Sequence, residues 1–355
     1  MSGRTHTLEV AAVVRETTDA HTLVFSVPPQ LHGRFAYRPG QFLTLRIPSE
    51  RTGSVARCYS LCSSPHVDDR PAVTVKRTAG GYASNLLCDT VRAGDLITVL
   101  EPGGSFGPRG LDGELLLAAG GSGITPLLSI AKSVLAAGRG NIVLFYANRD
   151  RRSVIFAAEL ERLERRYPRR LRVLHWIEAE RGLPNARRVG ELLRRHRRRE
   201  WYICGPQGFT TVLRSAAAAV RVPAARVHLE EYRSLTANPF EDSTLPAHLT
   251  VAALPPPAAG ADDGSTALEV DIDGRTHHLG WPRTARLLDV LLDNGIDAPY
   301  VCRESACGTC VCAVRRGRTR MVRNEALIDE ELAQGLTLAC QTLPDSADVH
   351  VSFDL

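Results

Sequence analysis

A chain of 355 residues exceeds what one hydrophobic core usually supports, so two or three domains are expected. Its 44% hydrophobic and 23% charged content is that of an ordinary globular protein, and no run approaches the roughly 18 apolar residues needed to cross a bilayer. The net charge of +5 does not mark a nucleic-acid binder: Lys76 and Lys132 are the only lysines, and an arginine excess of this kind is the codon habit of a GC-rich genome.

The first thirty residues scatter charges through every apolar stretch and lack the uninterrupted apolar core of a signal peptide, so a cytoplasmic location is expected. In that compartment nine cysteines are ligands, catalytic thiols or buried apolar groups before they are disulfides. Up to about residue 110, short β-rich runs (TLEVAAVVRE, HTLVFSV, GQFLTLRI, ARCYSLCS, AVTVKRT, DLITVLEP) alternate with turn residues, which predicts an antiparallel β-barrel over 1–112. Within it, ARCYSLCSSP places Arg57 and Tyr59 on one strand face, followed by Ser60. An arginine can grip a pyrophosphate, an aromatic ring can stack on a flavin, and a hydroxyl can bond to the flavin edge. Downstream, GGYASNLL opens a helix whose free N–H groups suit a second phosphate, and two such features in one barrel suggest FAD.

From LLLAAGGSGITP onward, strand and helix patterns alternate through NIVLFYANR, VIFAAELERLERRY, LRVLHWIE, EWYICGP and FTTVLRSAAAAVRV, predicting an α/β parallel-sheet domain over 113–233. The turn Gly120-Gly121-Ser122-Gly123 lacks the G-x-G-x-x-G spacing and by itself equally suits a plain strand-to-helix turn. YICGPQGF puts Cys204-Gly205-Pro206 at another strand end, where open sheets bind ligands. The basic run RRHRRRE at 194–200 lacks aromatics and follows the helical pattern VGELL, so it is expected to be a solvated helix end.

Periodicity then fades through LPPPAAGADDGST, a linker assigned to 234–265. From residue 266 the chain carries 14 acidic and 9 basic side chains, an acidic module on a basic body. ALEVDIDGRTHHLGW predicts a hairpin turning at Asp273-Gly274, and TARLLDVLLDNG an amphipathic helix. Cys302, Cys307, Cys310 and Cys340 then follow the C-x4-C-x2-C…C pattern of plant-type [2Fe–2S] proteins. Structural zinc, which favours two close ligand pairs, fits less well because Cys340 stands alone. Cys312 falls outside the pattern and is expected to be a buried structural thiol.

The ordered set RCYS, GGYAS, GGSGITP, CGP and Glu230-Glu231-Tyr232 resembles the ferredoxin–NADP reductase superfamily, and the appended four-cysteine domain resembles its three-module oxygenase-reductase branch. The resemblance implies a β-grasp (α+β) ferredoxin domain over 266–355, with FAD, a [2Fe–2S] cluster and NADH as the cofactors. It implies that Arg57, Tyr59 and Ser60 meet the flavin and Gly81, Tyr82, Ala83, Ser84 its pyrophosphate, with Val75 and Lys76 also cofactor-binding. Gly121, Ser122, Gly123, Ile124, Thr125, Asn148, Arg149 and Cys204, Gly205, Pro206 would meet the nicotinamide nucleotide. Ser60, Cys204 and Glu230 would position and polarise at the reacting rings, and Tyr232 would lie beside the flavin. Chains of the superfamily often end at that tyrosine, whereas this one continues. Arg149, Arg151 and Arg152 suit a 2′-phosphate, but Asp150 opposes one, so NADH is favoured over NADPH. A monomer is expected, handing electrons to a separate Rieske-type oxygenase, with no nucleic acid and no membrane involved. The alternatives are another class of oxygenase as recipient, or a non-catalytic carrier or zinc module.

Overall fold

The computed structural model describes residues 5–232, 235, 238–240, 265–327 and 329–354. The chain divides into two compact units, one through residue 234 and one from residue 235 onward. The expected linker, 234–265, lies outside the described residues except at 235, 238–240 and 265.

The first unit opens with strands β1 (Thr5–Arg15), β2 (Ala20–Ser26), β3 (Phe42–Ser49), β4 (Gly53–Ser60), β5 (Ala72–Lys76) and β6 (Leu96–Leu100), with helix α1 (Tyr82–Thr90) before the last. All pairings are antiparallel, in the order β4-β3-β6-β1-β2-β5, and the sheet curls until the segment after β4 meets β5 at the Leu61–Val73 bridge. Leu8, Val10, Leu23, Phe25, Leu43, Leu45, Val73 and Val99 fill its interior. Ala83, Leu87 and Cys88 dock α1 onto the same core.

There follow β7 (Leu115–Gly120), α2 (Ile124–Ala137), β8 (Ile142–Asn148), α3 (Ala157–Arg166), β9 (Leu171–Ile177), α4 (Glu178–Arg181), α5 (Ala186–Leu193), β10 (Glu200–Cys204), α6 (Gln207–Ala219) and β11 (Val227–Glu230). These five strands are all parallel, in the order β11-β10-β7-β8-β9. Every residue of β7 and β8 is buried, as expected of central strands covered by helices on both faces. Arg170 closes the C-terminus of α2 by donating to the carbonyls of Val134, Leu135, Gly138 and Gly140. The basic run after α5 is an exposed turn, with Arg199 donating to the Asn141 carbonyl at 2.8 Å.

Barrel and parallel sheet share one core. Ala20, Cys62, Ala72 and Phe106 from the barrel side pack with Leu117, Ile124, Ile130 and Tyr146. Polar groups pin the same seam: Ser129 Oγ donates to the Ser63 carbonyl at 2.5 Å, and the Ser64 and Ser133 hydroxyls meet at 2.7 Å. One of the two lysines, Lys132, bridges Asp68 at 3.0 Å and Glu159 at 3.6 Å.

The second unit contains β12 (Thr266–Ile272), β13 (Arg275–Trp281), α7 (Leu287–Asp293), β14 (Val311–Arg316), β15 (Thr319–Met321), α8 (Asp329–Ala333), β16 (Leu336–Leu338), β17 (Thr342–Pro344) and β18 (Asp348–Ser352). Its five-stranded mixed sheet runs β13-β12-β18-β14-β16, with β12 parallel to β18 and α7 buried through Leu287, Leu288, Val290 and Leu291. The first hairpin turns at Asp273 (φ 52°) and Gly274 (φ 69°), the two left-handed residues of a type I′ turn. Cys312 is fully buried in this core, where desolvation pushes its thiol up. Among the described residues, no helix is long and apolar enough to cross a membrane.

One close contact joins the turn after β7 to the end of β10. A Cβ placed on Gly123 would lie 2.0 Å from the Cys204 carbonyl oxygen and 2.7 Å from the Gly205 nitrogen. Gly123→Ala must therefore push the turn after β7 away from the end of β10. Overpacking of this kind costs about 1–3 kcal/mol. The expected result is a lowered thermal midpoint together with weakened nucleotide binding, read by denaturation and by titration of the variant.

Candidate functional site

The strand order of the parallel sheet reverses between β7 and β10, and ligands of open α/β sheets bind beyond the strand ends at such a point. Gly121–Thr125, Asn148, Cys204–Pro206 and Glu230 all stand at those C-terminal ends. Gly121 turns there with φ +53°, a conformation natural to glycine. The turn lets α2 begin against the sheet, and Thr125, 2% exposed, sits in its first turn.

Tyr232 gathers the rest of this locus. Its ring is half exposed, but its hydroxyl lies deep, 2.8 Å from Thr125 Oγ1 and donating to the Ser122 carbonyl at 3.2 Å. Cys204, and Ser60 from the barrel, lie near enough to act on the same hydroxyl. Desolvation pushes the tyrosine hydroxyl well up, and the Cys204 thiol likewise. Glu230 stands beside Cys204 in the β10–β11 register, and burial alone raises its carboxyl to about 8. Ser60, Thr125, Cys204, Glu230 and Tyr232 thus meet in one place, although 172 positions separate the first from the last.

On the barrel side, Arg57 donates one bond to the Ala56 carbonyl at 2.7 Å, and its five-donor guanidinium keeps capacity for an anion. Tyr59 is partly buried against the barrel core, which raises its hydroxyl. Helix α1 starts at Gly81 with no side-chain cap, leaving its first N–H groups to a ligand. Ser84 Oγ is taken up locally, accepting from the Thr78 N–H at 3.1 Å, and Tyr82 donates to the Pro48 carbonyl at 2.9 Å. The Val75 side chain is in the core. Lys76, by contrast, reaches across to the glycine turn: its Nζ would be 3.6 Å from a Cβ on Gly121. The sequence offers Lys76 as a cofactor-binding residue without placing it beside this turn.

Asn148 is 3% exposed, and both of its side-chain amide atoms lack a partner, which fits a bound polar ligand at this strand end. Arg149 is not part of the buried locus; it is 75% exposed and donates to Asp150 Oδ2 at 3.1 Å. Asp150 also caps the next turn through the Ser153 N–H at 2.9 Å. Arg151 grips Glu180 with two bonds, 2.7 and 3.2 Å. These arginines are already neutralised by carboxylates.

In the second unit, Cys302, Cys310 and Cys340 are at most 2% exposed and Cys307 is partly buried. The thiols act on one another as the pairs 302–307, 302–340 and 310–340. Interaction with Cys307 and Cys340 lowers the Cys302 thiol and Cys340 lowers that of Cys310, while the same interactions push Cys307 and Cys340 up. The backbone N–H of Glu304 donates to Cys302 Sγ at 3.3 Å. Gln341, which sequence reasoning missed, ties the ring together by donating to the Arg303 carbonyl at 2.9 Å and to Cys340 Sγ at 3.7 Å; adjacency to a ligand cysteine was the only available signal. Four cysteine sulfurs gathered in one buried loop region, with N–H donors to two of them, fit an iron–sulfur cluster.

A second group, Glu269, Asp271 and His350, brings ligand atoms within 4.8 Å of one another on the outer sheet face. Arg316 pairs there with Glu269 and Asp348, and Thr276 and His350 both bond Asp271. These contacts make it a cross-strand ion-pair ladder.

Comparison with known proteins agrees with this architecture. Residues 7–107 match the family described as "Oxidoreductase FAD-binding domain", 117–215 "Oxidoreductase NAD-binding domain", and 270–345 "2Fe-2S iron-sulfur cluster binding domain". The ferredoxin reductase component of 3-ketosteroid-9-alpha-monooxygenase from Mycobacterium tuberculosis is 52% identical over 353 residues, covering 98% of this chain and 95% of that one. One component of the 1,2-phenylacetyl-CoA epoxidase from Escherichia coli is 33% identical over 365 residues, covering 98% of each. Phthalate dioxygenase reductase shares the fold at a TM-score of 0.55 and 22% identity, over 98% of both chains. The chain therefore belongs to the ferredoxin reductase components of oxygenases within the ferredoxin–NADP reductase superfamily, as an FAD-, NAD- and [2Fe–2S]-dependent oxidoreductase.

Proposed function

We propose that this chain draws electrons from NADH and delivers them singly to a separate Rieske-type oxygenase, most closely one that hydroxylates a 3-ketosteroid. The observation that carries the reading is the 52% identity to the 3-ketosteroid-9-alpha-monooxygenase reductase over nearly the whole of both chains. The epoxidase relative, at 33%, supports the second reading, service to a different oxygenase. The working division is 1–112 for flavin, 113–233 for nucleotide and 266–355 for the cluster, with 234–265 tethering the last and raising its effective concentration. A cytoplasmic monomer is the expected form.

When bound, FAD takes up an electron pair from NADH as hydride and releases electrons one at a time to the cluster. The chain's own residues bind and orient. Arg57 and the N-terminus of α1, Gly81 to Ser84, would hold the flavin pyrophosphate. Tyr59 offers a ring face, and Ser60 a hydroxyl, to the flavin. Lys76, the Gly121–Thr125 turn and Asn148 would receive the nucleotide, and Cys204–Pro206, Glu230 and Tyr232 form the wall at its nicotinamide end. Cys302, Cys307, Cys310 and Cys340 would ligate the cluster as thiolates.

Nucleotide choice follows from the arginine pairs. A 2′-phosphate arriving near Arg149 and Arg151 would have to displace Asp150 and Glu180 and would meet their charge. The double variant Asp150→Ser, Glu180→Gln keeps a capping hydroxyl and frees both guanidiniums. One new charge-assisted hydrogen bond corresponds to about a tenfold gain or more. NADPH kcat/KM and 2′,5′-ADP affinity should rise together by that factor, and an unchanged preference would show that these pairs do not set it.

The reductase reading itself is tested with Cys307→Ser. The variant should keep NADH-driven reduction of a dye that accepts electrons from flavin, and lose turnover of the reconstituted oxygenase. Oxygenase turnover at the wild-type rate would contradict the proposed electron route.

A further inference from the structure

The cluster loop contains a side chain whose position its neighbours do not explain. Ser305 lies between Cys302 and Cys307 with φ +67°, in the left-handed region that glycine occupies freely and a serine does not. It is 1% exposed, and its hydroxyl, buried from solvent, has no hydrogen-bond partner in the protein. Native proteins seldom bury a hydroxyl in this way, because the lost hydration is not returned.

Its surroundings narrow the missing partner. The Ser305 backbone is close enough to act on the Cys340 sulfur, and the chain reaches the Cys307 ligand two residues later. A hydroxymethyl side chain is too short to leave that neighbourhood. Its backbone thus faces one ligand cysteine and adjoins another, so the acceptors within its reach once the ring is filled include sulfurs. Glycine would satisfy the backbone at this position without adding a polar group, and serine adds a donor.

We propose that Ser305 Oγ donates a hydrogen bond to a sulfur of the [2Fe–2S] cluster, a bridging sulfide or a cysteine ligand, and thereby raises its reduction potential. This rests on the cluster reading above. A donor to sulfur stabilises the more negative, reduced state over the oxidised one, which is the sign of the effect. Ser305 is a positioning residue in electron transfer, and it sets how readily the cluster takes an electron and how strongly it drives the next acceptor.

The test is an anaerobic redox titration of full-length holoprotein, followed by the EPR signal of the reduced cluster, for wild type, Ser305→Ala and Ser305→Gly. Alanine removes the hydroxyl and keeps the backbone strain; glycine removes both and protects the measurement if the alanine variant folds poorly. Both midpoints should move to more negative potential by a similar amount, with the equilibrium constant for reduction falling by up to about tenfold, about 59 mV for one electron. The absorption spectrum and iron content should stay those of an intact cluster. Unchanged midpoints, as expected if a water satisfies the hydroxyl, would overturn the proposal, and so would a shift in the glycine variant alone, which would assign the effect to strain. A wild-type protein without iron, sulfide or an EPR signal would instead overturn the cluster reading itself.

Discussion

The glycine turn after β7 is pressed against the end of β10 so closely that one methyl group on Gly123 would collide with the Cys204 carbonyl, and the site is built outward from that contact. It sets Thr125 and Cys204 side by side at the sheet's switch point and aligns Glu230 on the neighbouring strand. Ser60 belongs to another sheet. It reaches the same place because barrel and parallel sheet share a core and are pinned by Ser63 with Ser129, Ser64 with Ser133, and Lys132 with Asp68. Positioning of the reacting rings is thus a property of packing, as hydride transfer requires, because its rate depends on alignment more than on proton movement.

Electrostatics separate the two halves of the chain. In the first unit, burial pushes Cys204, Tyr232 and Glu230 toward their neutral forms, so this end of the parallel sheet carries little charge near neutral pH. In the second, crowded sulfurs and backbone donors lower Cys302 and Cys310 while Cys307 and Cys340 are raised, so that protons are shared unequally among the four. The same residue type, cysteine, serves both because its neighbours differ.

Much of this was legible in the sequence. The spacing of Cys302, Cys307, Cys310 and Cys340 singles out four cysteines that the fold brings together, Asp273-Gly274 marks a turn, and the strand and helix periods order the modules. Other features depend on contacts between distant segments that no local pattern encodes. Lys76 reaches the Gly121 turn only because the barrel docks as it does, and Arg151 finds its partner 29 positions away in Glu180. Tyr232 looked like a ring beside the flavin, whereas the position of its hydroxyl, between Thr125 and Ser122, appears only in three dimensions. In the sequence Ser305 is one small residue among Ala306, Gly308 and Thr309. Neither the sign of its φ nor its unmatched hydroxyl can be read from a residue letter.

The central claim is that one chain carries electrons from NADH through a flavin to a four-cysteine cluster. An anaerobic visible absorption spectrum of the purified protein, recorded before and after adding NADH, tests it directly. The account predicts overlapping flavin and iron–sulfur bands that both bleach on addition of NADH. A colourless zinc-containing protein, or flavin bands that bleach while the cluster bands do not change, would contradict it.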